Sequence, residues 1–341
     1  MKAAIYNPYW DTLGGGERYC ASVVKLLLSE GFKVDIEWNN KEIIEKLQKR
    51  FSLAIKKANV VDSVYRGDGY DLCFWISDGS IPTLKSRNNL LHFQVPFKKV
   101  NGKTLINRMK LLRVKHILCN SEFTKSFIDN EFGVISEVLY PPVDVNRFKP
   151  KRKENLILYV GRFSQLTQSK NQHILVEMFK KFYERNRKWK LVVAGGVEVG
   201  VNEYVKKLKV AAKGYPISIV ESPAFASLIE LNGKSKIYWS ASGYGVDEKN
   251  NPQKVEHFGI SLVEAMAAGA VPVVADAGGH REIVEEKVSG LLWTKKEELI
   301  DSTEKLISDT KLMRDYSIKA RQGSIQFSVE KFEEKLLKYI Y

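Results

Sequence analysis

EHFGISLVEAMAAGAVPVVAD, residues 256–276, reads as a turn, a helix and a strand in quick succession. Phe258, Gly259 and Ile260 introduce a small-residue helix, and the apolar run VPVVAD follows as a buried strand. Such short strands alternating with helices build a parallel sheet covered on both faces. Two carboxylates, Glu256 and Glu264, stand eight positions apart in the stretch. If the helix begins near Gly259, its free amides and positive dipole end are ready for a phosphate. Glu256 then lies in the loop before that end, and Glu264 roughly 7 to 8 Å inside it along the axis. A diphosphate over the helix end would put a sugar near one carboxylate and a ribose near the other, both groups that acceptor oxygens can bind. The alternative is a half-buried helix with a solvated glutamate. Against it, Ala265, Ala267, Ala268 and Gly269 suggest close packing that leaves Glu264 in need of a hydrogen-bond partner.

The same alternation runs outward in both directions. Lys2 to Tyr6 reads as a strand, GGGE as a turn, Arg18 to Leu28 as a helix, and Lys33 to Trp38 as the next strand. Further apolar runs are DLCFWI, NLLHFQV and KHILCN. YPPVDVNRFKPKRKEN, with its prolines and charges, breaks the pattern as a linker. The alternation restarts at NLILYVG and continues through KLVVAGG, ISIV and KIYWS into the stretch quoted above. The expectation is an α/β chain of two domains, residues 1–140 and 156–341, joined by a linker at 141–155. The terminal helix is free to pack back on the first domain. Ligands of open α/β sheets bind beyond the carboxyl ends of the strands.

Composition narrows the class. The chain has 341 residues, more than one comfortable core. It contains no run of eighteen apolar residues and no leader-like start, so a cytoplasmic protein is expected. Cys20, Cys73 and Cys119 sit in apolar segments without metal-binding spacing and read as buried thiols. The net charge of +14 favours an anionic partner and divides evenly between residues 1–150 and 151–341. No nucleic-acid motif accompanies it, so nucleic acid is not expected. The local exception is FKKVNGKTLINRMKLLRVKH, where Lys98, Lys99, Lys103, Arg108, Lys110, Arg113 and Lys115 meet no acidic residue. Leu105, Ile106, Met109 and Leu112 recur there at helical spacing. This is either a helix packed on a sheet or a contact with an anionic membrane surface.

Three smaller motifs carry chemistry. Gly14, Gly15 and Gly16 between a strand and a helix suit a phosphate or merely a tight turn. Arg162 follows the strand LILYVG, and Lys170 comes eight positions later, before a helix. As a planar fork and a point charge they could neutralise a diphosphate. His92 stands near a strand end before Pro96, where an isolated histidine usually has a structural role.

Taken together, these segments resemble the retaining glycosyltransferases of family 4, of GT-B architecture: two Rossmann-like domains whose parallel sheets face a central cleft. The resemblance is densest from Glu256 to Val284, through E-x7-E, VPVVAD and GGHREIV, and extends to GGGER, LLHFQVP, LCNSEFTK and YPPVD. It is most similar to enzymes that add sugars to polyprenol-linked oligosaccharides. It implies transfer from a nucleotide-diphosphate sugar to a lipid-linked or polymeric glycan, peripheral to the cytoplasmic face of a membrane. Carried over, Glu256 binds donor-sugar hydroxyls and Glu264 the ribose, while Phe258, Gly259 and Ile260 present amides to sugar and phosphates. Arg162 and Lys170 hold the leaving diphosphate, Gly15 and Gly16 approach the donor from the other domain, and His92 lies beside the reacting sugar. There is no DxD triplet, so no metal or other cofactor is expected. The chain departs from the family in the long gap between Arg162 and Lys170, in Asn171 where glycine is usual, and in His280 where proline is common. No catalytic role is assigned to His280. The competing readings are a nucleotide-sugar epimerase or hydrolase on the same architecture, and a non-catalytic anion-binding protein.

Overall fold

The computed structural model describes residues 1–164, 168, 170–198 and 200–341. The chain divides into two compact units, Met1–Pro142 with Glu330–Tyr341, and Val143–Val329.

The first unit alternates β1 (Lys2–Tyr6), α1 (Gly15–Ser29), β2 (Lys33–Glu37), α2 (Ile43–Phe51), β3 (Asn59–Val61), β4 (Leu72–Ile76) and β5 (Asn88–Phe93). It continues through α3 (Leu105–Leu111), β6 (His116–Cys119), α4 (Glu122–Phe132) and β7 (Glu137–Val138). The seven strands are parallel, in the order β3-β2-β1-β4-β5-β6-β7. Central strands bury consecutive side chains, Ala3 to Ile5 in β1 and Leu72 to Phe74 in β4, as expected of a sheet covered on both faces. Local chemistry sets the helix ends: Ser121 accepts the Thr124 amide at the start of α4, and Gly133 closes it in the left-handed region.

The second unit repeats the plan with β8 (Glu154–Val160), α5 (Gln172–Arg185), β9 (Lys190–Gly195), α6 (Asn202–Ala212), β10 (Ile217–Glu221), α7 (Phe225–Lys234) and β11 (Ser235–Ser240). After β11 come α8 (Ile260–Ala267), β12 (Val271–Ala275), α9 (His280–Ile283), β13 (Leu291–Trp293), α10 (Lys296–Ser308) and α11 (Thr310–Ser324). Its six parallel strands run β10-β9-β8-β11-β12-β13. Beneath this sheet Trp239 meets Phe179 and Phe182 edge-on and donates its indole N–H to Thr303 at 2.9 Å. The last helix, α12 (Val329–Ile340), belongs almost entirely to the first unit.

In each sheet the strand order reverses once, between β1 and β4 and between β8 and β11. The general rule for open α/β sheets places a ligand crevice beyond the carboxyl ends of the strands at such a reversal. No helix among the described residues is long and apolar enough to cross a membrane.

Candidate active site

In the second unit the reversal brings together residues far apart in sequence. Lys170 ends the loop after β8, and Glu256 lies in the loop after β11. The Lys170 ammonium donates to the Glu256 carboxylate at 2.7 Å and to the Gln168 side-chain oxygen at 2.9 Å. Lys170 is buried and Glu256 half-buried. Burial alone would raise the Glu256 pKa. The charge and hydrogen bond of Lys170, helped by His280 and His257, instead hold it below the ordinary carboxylate value. The carboxylate is thus kept ionised as a pure acceptor, with an oxygen to spare for hydroxyl groups.

The backbone around Glu256 is fixed by glycine. Gly279 donates its amide to the Glu256 carbonyl at 2.8 Å. Gly278, at φ +52°, passes so close that a Cβ there would lie 2.2 Å from the same oxygen. Glu248 pins this turn from outside, accepting from the Gly278 amide at 3.1 Å and from Arg281 at 2.6 Å. A neighbouring cavity of about 300 Å³, lined in part by Tyr244, Glu248 and Arg281, does not include the Lys170–Glu256 pair.

Glu256 leads through His257 and Phe258 to Gly259, which takes φ +125° and serves as the N-cap of α8. That conformation is open to glycine and strained for other residues, so the entry into α8 depends on it. The Leu262 and Val263 amides donate to the Gly259 carbonyl at 3.0 and 3.2 Å. The amides of Ile260 and Ser261 precede any helical carbonyl they could bond, as at any helix start. Ser261 in that turn shares a hydrogen bond of 2.9 Å with Tyr238, which donates to the Val160 carbonyl at 3.1 Å, tying the start of α8 to β11 and β8. Glu264 is 6% exposed inside α8. The alternative of a solvated glutamate is thereby excluded.

Arg162 is placed differently from Lys170. Its backbone carbonyl is held by Gln172 at 2.9 Å, but its guanidinium is exposed and lies 3.8 Å from Glu198. Residues 165–167 and 169, which make up most of the long gap between the two cations, lie outside the described residues. Asn171 resolves the missing glycine: it adopts φ +51° and ψ +36°, a left-handed conformation that asparagine tolerates, and donates to the Ala241 and Tyr244 carbonyls. His280 is buried. Its Nδ1–H donates to the Ala275 carbonyl at 2.8 Å, and burial holds its pKa below the ordinary value against the opposing pull of the Glu256 charge. In the sequence His280 stands out only as a departure from the family's proline, because nothing in its spacing ties it to Glu256.

In the first unit the glycines form a helix start, one turn earlier than expected. Glu17 turns back so that its carboxylate accepts from the Gly14 amide at 2.7 Å and from the Thr12 hydroxyl. Gly15 opens α1, and Gly16 lies against Gln94, whose side-chain oxygen would sit 2.2 Å from a Cβ at that position. The position of His92 is a correction. Its ring is fully buried in the core, stacked on Tyr19 at 4.3 Å and tilted against Phe74, and burial pushes its pKa down to about 3. A side chain inside the core cannot lie beside a reacting sugar. The residue that leaves β5 and borders the glycine loop is Gln94, donating to the Gly16 carbonyl at 3.3 Å. No group of three or more His, Cys, Asp or Glu side chains among the described residues is arranged to hold a metal ion.

Comparison with known proteins gives this geometry a context. The family model for glycosyl transferases group 1 matches residues 143–323. A GDP-Man:Man(3)GlcNAc(2)-PP-Dol alpha-1,2-mannosyltransferase of Dictyostelium discoideum is 28% identical over 243 residues, which cover 66% of this chain and 47% of that protein. A human alpha-1,3/1,6-mannosyltransferase is 27% identical over 252 residues, covering 66% and 58%. The chain spans about half the length of the curated relatives it matches. Among solved structures, the Anabaena protein HepE in complex with UDP superposes with a TM-score of 0.78 at 18% identity, covering 99% of both chains. A glycosyltransferase of Rickettsia africae does so with 0.79 at 17%, covering 99% and 97%. At such identities the likeness is one of fold, the GT-B plan of two parallel α/β units.

Proposed function

The chain belongs to the glycosyl transferases group 1, and from that premise we propose that it transfers a sugar, with retention of anomeric configuration, from a nucleotide-diphosphate sugar to a lipid-linked glycan. The observation that carries the reading is the Glu256 carboxylate, held by Lys170 at 2.7 Å at the switch point of the second sheet and just before the amino end of α8. Departure of a nucleoside diphosphate builds negative charge on the phosphates. Preorganised helix-end amides and a cation stabilise that charge without reorganising. The two cations divide the work. Lys170 is already matched by Glu256 and fixes the carboxylate that grips the sugar hydroxyls. Arg162, exposed and 3.8 Å from Glu198, is the group that meets the diphosphate. Glu264, buried within α8, takes the ribose. The residues proposed for the donor are therefore Glu256, Lys170, Arg162, Glu264 and the backbone of Phe258, Gly259 and Ile260, with no metal needed for the charge. The lipid-linked acceptor is favoured by the curated relatives, whose names specify dolichol-linked substrates.

The decisive test is product analysis with a panel of nucleotide sugars, with and without a polyprenol-linked oligosaccharide. Acceptor-dependent label in the lipid extract is expected. Epimerised or hydrolysed donor formed without acceptor would replace the proposal with the epimerase or hydrolase reading. Glu264→Gln, which keeps the side-chain volume, is expected to weaken donor binding in calorimetry by roughly tenfold or more, the scale of a lost charge-assisted hydrogen bond. Unchanged donor affinity would remove Glu264 from the site.

A further inference from the structure

The seven-residue helix α3 buries none of its residues. Leu105, Ile106, Met109 and Leu112 are 74%, 65%, 62% and 87% exposed. At about 100° per residue these four fall within one arc of roughly 120° on the helix surface. Arg108 and Lys110 border that arc on its two sides, and Leu111, on the opposite face, packs on the core around Phe93 and Phe132. The helix packed on its sheet through the apolar stripe, one of the two sequence expectations, is therefore overturned. The stripe points away from the unit.

The exposure is not that of a loose loop. The Glu131 carboxylate of α4 accepts from the amides of Lys99, Val100 and Gly102 at 2.9, 2.9 and 3.3 Å. Burial would raise its pKa, but these amides and Lys103 hold it below the ordinary value. The turn so clamped places Lys99 and Asn101 at φ +60° and +56°, a left-handed conformation that asparagine tolerates and that strains the lysine. Thr104 then caps α3 by accepting the Asn107 amide, and Arg113 behind it donates to the Leu84 carbonyl at 2.7 Å. A well-anchored helix that turns four large apolar side chains to water needs an apolar partner outside the unit. Seven cations and no acidic residue lie between positions 98 and 115, which fits a partner whose surface is anionic and whose interior is hydrocarbon.

We infer that α3 is a membrane wedge: Leu105, Ile106, Met109 and Leu112 enter the headgroup–acyl boundary of an anionic bilayer, and the surrounding lysines and arginines engage its phosphates. The ammonium and guanidinium heads snorkel to the headgroups while their stems cover the apolar stripe. The inference deepens the proposed function, since a lipid-linked acceptor lies at such a surface.

The test uses the whole chain with vesicles of phosphatidylcholine, with or without phosphatidylglycerol. Because the three native cysteines are buried, Met109→Cys can be labelled selectively with an environment-sensitive fluorophore. Expected are sedimentation with the phosphatidylglycerol vesicles, a blue shift of the label, and its quenching by lipids spin-labelled near the headgroup. Replacing the four stripe residues with serine, at positions too exposed to matter for folding, should lower vesicle affinity by about tenfold or more. Vesicle binding that salt abolishes but the serine variant retains, without quenching, would overturn the wedge in favour of adsorption by charge alone. Self-association relieved by the serine variant, with no vesicle binding, would overturn it in favour of a second copy of the chain. Transfer to an acceptor in detergent is read in parallel. If the wedge is wrong that transfer persists without vesicle binding, and if the acceptor reading is wrong vesicle binding persists without transfer.

Discussion

Single residues in this chain divide by whether they stand before or beyond a strand end. His92 and Gln94 are two positions apart. His92 pairs with Leu118 inside the sheet and is sealed in the core, whereas Gln94 has left β5 and reaches the glycine loop. Nothing in the sequence separates them, because a strand buried on both faces carries no alternation to show where it stops. The burial of His92 has a consequence for stability. Its pKa is about 3 in the folded protein against an ordinary value of 6.5. Between these values the unfolded chain binds a proton that the folded chain does not. Stability is therefore complete above the higher value and falls as the pH drops toward the lower, by up to about 1.4 kcal/mol per pH unit. His92→Phe, which keeps the stack on Tyr19, should flatten that acid slope in urea titrations and leave the transfer rate intact. A transfer rate that collapses while the fold persists would restore His92 to the site. Lys170 and Glu256 show the opposite case: both were legible as candidates, but their pairing across 86 positions was not, because it depends on which strands neighbour the switch point.

At the scale of elements, α8 is only as well placed as the turn that braces its entry. Gly278 cannot gain a side chain without striking the Glu256 carbonyl, and its left-handed conformation costs other residues about 1 to 2 kcal/mol. Gly278→Ala should therefore displace Glu256 and break its bond to the Gly279 amide. The expected result is a transfer rate lowered by roughly tenfold or more, since small misplacements of reacting groups are costly. Thermal unfolding and donor titration made alongside distinguish this from general loss of fold, and an unimpaired rate would show that the turn does not set Glu256. The stretch from Glu256 to Asp276 revealed α8 and β12 in the sequence because small residues, a glycine entry and an apolar run all agree there. The reading was poorer where elements are short: the three-residue edge strand β3 has no pattern long enough to detect. It was poorer again at α1, whose first turn is glycine, a residue that reads as loop until Glu17 is seen to cap it. For α3 the spacing gave the helix but not its surroundings. Periodicity states that a stripe exists, and only the packing of neighbours decides whether it is covered.

On the scale of the whole molecule, the first unit is assembled from two separate pieces of chain. Residues Glu330–Tyr341 join Met1–Pro142 after the second unit has been completed. Their contribution is not decorative: Phe332, Leu336, Tyr339 and Ile340 are buried in the same core as Ile5, Val24 and Phe74. Phe332 meets Tyr19 edge-on, and Asn88 donates to the carbonyls of Tyr339 and Ile340. Fully burying each of the four side chains is worth about 1.5 to 3 kcal/mol. Together that matches the whole net stability of an ordinary domain, about 5 to 15 kcal/mol. A chain cut after Ser328 should therefore lose the cooperative unfolding of the first unit while the second, whose own core lies within Val143–Val329, keeps its transition. Hydrogen exchange reads this directly. Amides of β1, β2 and β4 should lose protection on truncation, and those of β8, β9 and β11 should keep it. Retained protection in the first unit would mean that α12 rests on a core already complete without it. Loss in both units at once would mean that the two fold as one cooperative body, with the returning helix as the element that couples them.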